Sequence, residues 1–167
     1  MATSTTPKIH TFSYVFPPSL PTAPTFGLYV TSLTDTYLLW LGVLPPSATA
    51  ISVPDPLREE EGSSGADMMG LGTDAKLGRD WAMGMPGRGA IPAVGTQLLK
   101  GVGEDVALPL AQRLARRFKK QVFLSVDVGE LGTGGQGGRV MLDVERQLVG
   151  VLSELENSKS KAMGSVQ

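Results

Sequence analysis

Between Leu110 and Val128 the spacing of apolar residues changes from that of a helix to that of a strand. Leu110, Ala111, Leu114, Ala115 and Phe118 share one side of a helix, because residues three and four apart stack on one face. Gln112, Arg113, Arg116 and Arg117 fall on the other side. From Gln121 the period is two: Val122, Leu124, Val126 and Val128 point one way, Phe123, Ser125 and Asp127 the other. The pattern predicts an amphipathic helix over 109–118, with Pro109 in the first turn where proline is tolerated. It runs almost without a loop into the best-patterned strand of the chain, 121–128.

The same reading extends to both sides. Residues 9–16 alternate, with His10, Phe12, Tyr14 and Phe16 on one face. Four prolines between Pro17 and Pro24 then interrupt any ladder. A second strand over 25–33 and a third over 36–44 form a hairpin about Thr34-Asp35, which supplies the turn. The third strand is apolar at nearly every position, and this predicts that both of its faces are covered. Residues 81–85 read as a fourth, edge-like strand weakened by Gly84, and 90–103 is ambiguous. A final helix starts near Val140, with Val144, Leu148, Val151 and Leu155 spaced by fours and threes. Asp143 near its start would complement the helix dipole, and Gly150 falls on the polar side. Strands precede helices, so the expected class is α+β: an antiparallel sheet of five or six strands with two main helices.

Composition narrows this picture. The 167 residues suit one domain. With 21 glycines and 12 prolines, however, not all of the chain can be packed. Residues 1–7 read as a disordered tail. Residues 54–77 combine an Arg-Glu-Glu-Glu run with Gly, Ser and Asp and bury too little to offset ordering, so they read as a flexible insertion. Residues 129–138 read as a glycine-rich loop. The net charge of −1 gives no electrostatic case for nucleic acid or an anionic membrane. The absence of cysteine excludes disulfides and thiolate metal sites and fits a reducing compartment. The N-terminal residues lack the apolar core of a signal peptide, and no apolar run approaches the ~20 residues of a membrane helix.

Candidate chemistry is sparse. Gly132 to Gly137 satisfies G-x-G-x-x-G, but a dinucleotide fold needs a second parallel strand with an acidic residue about 20 positions on. The chain there is helical, and no Gly-Lys-Ser/Thr of a phosphate-binding loop is present. His10 is the only histidine and lies in a strand; without a partner His or Cys it suggests neither zinc nor a catalytic triad. No catalytic, cofactor-binding or metal-binding residue is expected. The one basic cluster is Arg113, Arg116, Arg117, Lys119 and Lys120. It can be a solvated helix face, or a docking face for an acidic protein surface, where arginine pairs bidentately with carboxylates. Tyr37 and Trp40 on the third strand are core residues or, if another chain covers one face, interface aromatics.

The segment LAQRLARRFKKQVFLSVDV resembles the signature of the proteasome assembly chaperone 4 family. Leu33 to Gly42, LTDTYLLWLG, resembles that family's strand pair, and His10 to Ser13 its N-terminal strand, in the order the family requires. Residues 54–77 have no counterpart there. The resemblance implies a non-enzymatic chaperone that pairs with a related chaperone 3 and promotes assembly of the proteasome alpha ring, through the fifth alpha subunit in particular. It implies a cytoplasmic location, with the nucleus as a second compartment. A different class, a small scaffold module of a trafficking or signalling complex, fits the residues without the resemblance.

Overall fold

A computed structural model describes residues 9–18, 20–21, 23–44, 79–101, 105–128 and 137–164, with side chains as far as residue 158. The expected tail at 1–7, the insertion at 54–77 and most of the glycine-rich loop lie outside the described residues. Among the described residues six strands form one sheet: β1 (His10–Phe16), β2 (Phe26–Ser32), β3 (Thr36–Val43), β4 (Asp80–Met85), β5 (Val94–Leu99) and β6 (Gln121–Asp127). Two helices accompany it, α1 (Ala107–Phe118) and α2 (Gly137–Gly164). The domain is α+β, as the pattern predicts.

The sheet order is β1-β2-β3-β6-β4-β5. The β2–β3 hairpin closes about Thr34-Asp35, with the Leu33 N–H donating to the Thr36 carbonyl at 2.9 Å. β6 enters between β3 and β4, antiparallel to β4 but parallel to β3. The sheet is therefore antiparallel except for that one pair. A parallel pair needs a crossover connection, and β4, β5 and α1 all lie in it. The expectation that β4 is edge-like is wrong: it is flanked by β6 and β5, and β5 is the edge.

Gly84 does not mark a weak edge. A Cβ there would lie 2.4 Å from the Ala111 carbonyl oxygen, so α1 lies directly on this strand. Gly95, its register partner on β5, is crowded too, by Gln112, Leu108 and the Met83 carbonyl. β5 escapes the periodic pattern because a bulge opposite the Trp81/Ala82 step makes Leu98 an extra residue and leaves Leu98 and Leu99 both exposed.

Both helices lie on one face of the sheet. Leu110, Ala111, Leu114 and Ala115 of α1 and Val140, Val144, Leu148 and Leu152 of α2 are buried there. They pack with Leu28, Val30, Leu39, Leu41, Val122, Leu124 and Val126 of the strands. α2 begins at Gly137, so Gly137 and Gly138 belong to the helix and not to the loop. Asp143 therefore sits in the second turn, bonded to Arg146 three residues on, and not at the dipole.

α1 stops where Lys119 takes a left-handed conformation, φ 55°. Its N-terminus has no side-chain cap of its own and no acidic residue in its first turn. Asp80 of β4, itself buried, supplies the cap across 26 residues: its Oδ2 accepts from the Val106 and Ala107 amides at 2.9 and 2.7 Å. Its Oδ1 accepts from Gln97 of β5. One carboxylate thus ties the β4–β5 hairpin to the start of α1.

Candidate functional site

The face of the sheet opposite the helices has no cover within the described residues. Alternation along the strands assigns its side chains, and the registers order them into rows. One row reads Ser13, Tyr29, Trp40, Ser125, Trp81, Leu99 across β1, β2, β3, β6, β4 and β5. The next reads Thr11, Thr31, Leu38, Phe123, Met83, Thr96. Met85 and Val94 extend it beside β6, and Val15 beside β2. Asp127 is the only charged side chain on this face of the described strands. Trp81, Leu38, Met85 and Val94 are exposed, at 39%, 40%, 42% and 49%. Six strands at ~4.8 Å spacing and about six residues of depth make a face roughly 24 by 20 Å. Its part from Trp40 and Leu38 to Trp81, Met85 and Val94 is largely apolar, and an exposed apolar patch of this kind marks an interaction surface.

The residues suggested by the sequence divide between this face and the opposite one. Tyr37 and Trp40, three apart on β3, point to opposite sides. Tyr37 is fully buried under the helices, edge-on to Phe118. Its hydroxyl donates to Glu156 of α2, and the Lys120 ammonium lies 5.0 Å above its ring while bonding the same carboxylate at 2.7 Å. Burial, with Glu156 adding to it, pushes the Tyr37 hydroxyl well above the ordinary tyrosine range. Tyr37 is thus a core residue holding α2 on the sheet, and Trp40 belongs to the open face. The prediction that both faces of β3 are covered fails within this chain: Tyr37, Leu39 and Leu41 are buried, Leu38 is exposed and Trp40 is half-buried.

The basic cluster divides as well. Arg113 does not face outward without a partner. It pairs bidentately with Glu145 of α2, both contacts 2.7 Å, an arrangement that raises its already high pKa, and so joins the two helices. Lys120 is engaged by Glu156. Arg116, Arg117 and Lys119 are exposed and make no ion pair among the described residues. They stand together at the C-terminal end of α1, where positive charge suits the helix dipole.

His10 is exposed, its ring 6.4 Å from that of Phe12. Among the described residues no group of three or more His, Cys, Asp or Glu could hold a metal ion. A shallow cleft of about 210 Å³ between the helices is lined by Val106, Leu110, Met141 and the Arg113–Glu145 pair, whose charges satisfy each other. Trp81, Leu38, Phe123 and Met83 do not stand out in the sequence as site residues. The signal that could have found them is the third strand, apolar on both parities where the helices can cover only one.

A comparison with curated proteins returned no match. The model of one family, described as proteasome assembly chaperone 4, matches residues 25–128. That span contains β2 to β6 and α1, hence five of the six strands that build the open face, and it is more than half of the sequence. The chain belongs to the proteasome assembly chaperone 4 family.

Proposed function

We propose that this proteasome assembly chaperone works as one half of a heterodimer with a chaperone 3 relative, and that the open face of its sheet is the surface the partner covers. The observation that carries this reading is the near absence of charge on that face, where two tryptophans, Tyr29, Phe123, Leu38, Met83 and Met85 lie together. Obligate partners bury surfaces of this kind, depleted of charge and rich in aromatics. A sheet packed against a second sheet would complete a sandwich with helices outside and the apolar rows inside.

The exposed cations Arg116, Arg117 and Lys119 lie on the helix side and stay accessible in such a dimer. They suit an acidic patch on a proteasome alpha subunit, with the fifth as first choice, and promotion of alpha-ring assembly follows from holding subunits by contacts of this type. Binding energy alone drives the process by mass action, without catalysis. The cytoplasm, with the nucleus as a second site, is the proposed location.

Co-expression with a chaperone 3 relative and alpha subunits, followed by size-exclusion chromatography, tests the proposal. A 1:1 chaperone pair that retains an alpha subunit supports it. Recovery of the chain in a different assembly, with neither component, would favour the scaffold-module reading instead.

A further inference from the structure

Ser125 occupies the centre of the open face and is only 1% exposed. Its Oγ is a buried side-chain oxygen with no hydrogen-bond partner among the described residues. The registers place Trp40 beside it on β3 and Trp81 beside it on β4. With strands ~4.8 Å apart, two indoles flank one small side chain. Neither indole N–H donates a bond among the described residues. Native folds keep few buried hydroxyls unpaired, because each gives up its water without compensation. Among the described residues nothing requires an oxygen at this position. Alanine would fit between the indoles, smaller by one oxygen, and leave nothing unsatisfied.

We infer that Ser125 is the polar contact at the middle of the partner interface, completed by an uncharged hydrogen-bonding side chain of the partner. This inference rests on the open face being the docking surface. The sheets of a sandwich lie ~10 Å apart, too far for a serine to reach the partner's backbone. The group that meets it therefore sits on a long side chain: the carboxamide of Asn or Gln, or the hydroxyl of Tyr. A charged group is excluded by the desolvation it would suffer among these rows. Trp81, the more exposed of the two flanking indoles, turns aside to admit it. A partner with only aliphatic residues at that point would leave the hydroxyl orphaned in a dry interface, so Ser125 discriminates between apolar faces that are otherwise alike.

The test uses the full chain and its purified chaperone 3 relative, with Kd from titration calorimetry and Tm from thermal melting of the lone chain. Ser125→Ala removes the hydroxyl; Ser125→Cys fills the site with a slightly larger group that bonds weakly. Both are expected to weaken the heterodimer by about 5–30-fold, the worth of one buried hydrogen bond, while the Tm of the lone chain stays level or rises. Leu38→Glu, which puts a charge on the face without touching Ser125, is expected to abolish pairing. If Leu38→Glu abolishes pairing but Ser125→Ala binds within twofold of wild type, the role of Ser125 is refuted and the docking face stands. A loss with Ala but not with Cys would trace to a cavity and refute the role too. So would a Tm lowered by several degrees in Ser125→Ala, since the hydroxyl would then be satisfied within the lone chain. Wild-type affinity in Leu38→Glu, or no heterodimer with the wild-type chain, would overturn the docking face and this inference together.

Discussion

Replacing Asp80 should loosen the start of α1, although Asp80 is 27 residues from the helix in sequence. Asp80→Ala leaves the amides of Val106 and Ala107 without the oxygen that now accepts from both, at 2.9 and 2.7 Å. Among the described residues α1 has no other side-chain cap at this end. Loss of a cap costs about 1–2 kcal/mol, and a buried amide left unpaired costs about 1–3 kcal/mol. The two figures describe overlapping losses, so the expected total is about 2–4 kcal/mol rather than their sum. Asp80→Asn keeps one acceptor oxygen for the amides and an amide to face Gln97, whose own carboxamide can turn. It should lose the attraction between a carboxylate and the helix dipole, about 0.5–1 kcal/mol, and the exposed Gln97–Leu99 bond that the turned carboxamide gives up, about 0.5 kcal/mol. Urea unfolding followed by far-ultraviolet circular dichroism measures both values. Hydrogen exchange should show faster opening of the 106–110 amides in Asp80→Ala than in Asp80→Asn. A loss below about 0.5 kcal/mol in Asp80→Ala, or equal losses in the two variants, would refute the assignment of Asp80 as the cap.

Gly84→Ala should cost about 1–3 kcal/mol in urea unfolding, because the new Cβ meets the Ala111 backbone at 2.4 Å and pushes α1 off the sheet. Tyr37→Phe removes the hydroxyl bonded to Glu156 and should cost about 1–2 kcal/mol in the same assay, with faster exchange in the second half of α2. Arg116→Glu with Arg117→Glu should cost no more than about 1–2 kcal/mol, the loss of two favourable charges at the C-terminal end of the helix, and leave the fold intact, since both residues are exposed and without ion pairs among the described residues. In a pull-down at two salt concentrations the same double change should weaken capture of alpha subunits, most at low salt. Arg113 is left intact in that test because its pair with Glu145 holds the helices together.

The elements easiest to read in the sequence are those whose periodicity has one cause. α1 and β6 pack one face against a single core, and their boundaries agree with the pattern to within two residues. β4 was harder, because Gly84 looks like a weakness until the Ala111 backbone is seen above it. β5 was hardest: its bulge breaks the alternation, and it is an edge strand with little buried surface to enforce one. The cap of α1 is illegible because sequence rules search for it next to the helix, and it comes from β4. Gly137 and Gly138 disguise the start of α2 because glycine is a poor helix former. The open face was half legible. Trp40 and the doubly apolar β3 pointed to it, but Trp81 and Met83 join only once β4 lies next to β6. The basic run hid two different jobs, since Glu145 and Glu156, which engage Arg113 and Lys120, are 32 and 36 residues away.

Methionine methyl spectra test the docking face most directly. Met83 and Met85 lie on the open face, and Met141 lies on the helix side, packed against the core. The chain, carrying labelled methionine methyl groups, is titrated with unlabelled chaperone 3 relative, and each signal is assigned by substitution to Leu. The account expects the Met83 and Met85 signals to shift or broaden as the heterodimer forms, while Met141 keeps its position. A shift at Met141 with Met83 and Met85 unmoved would place the partner on the helices and contradict the account.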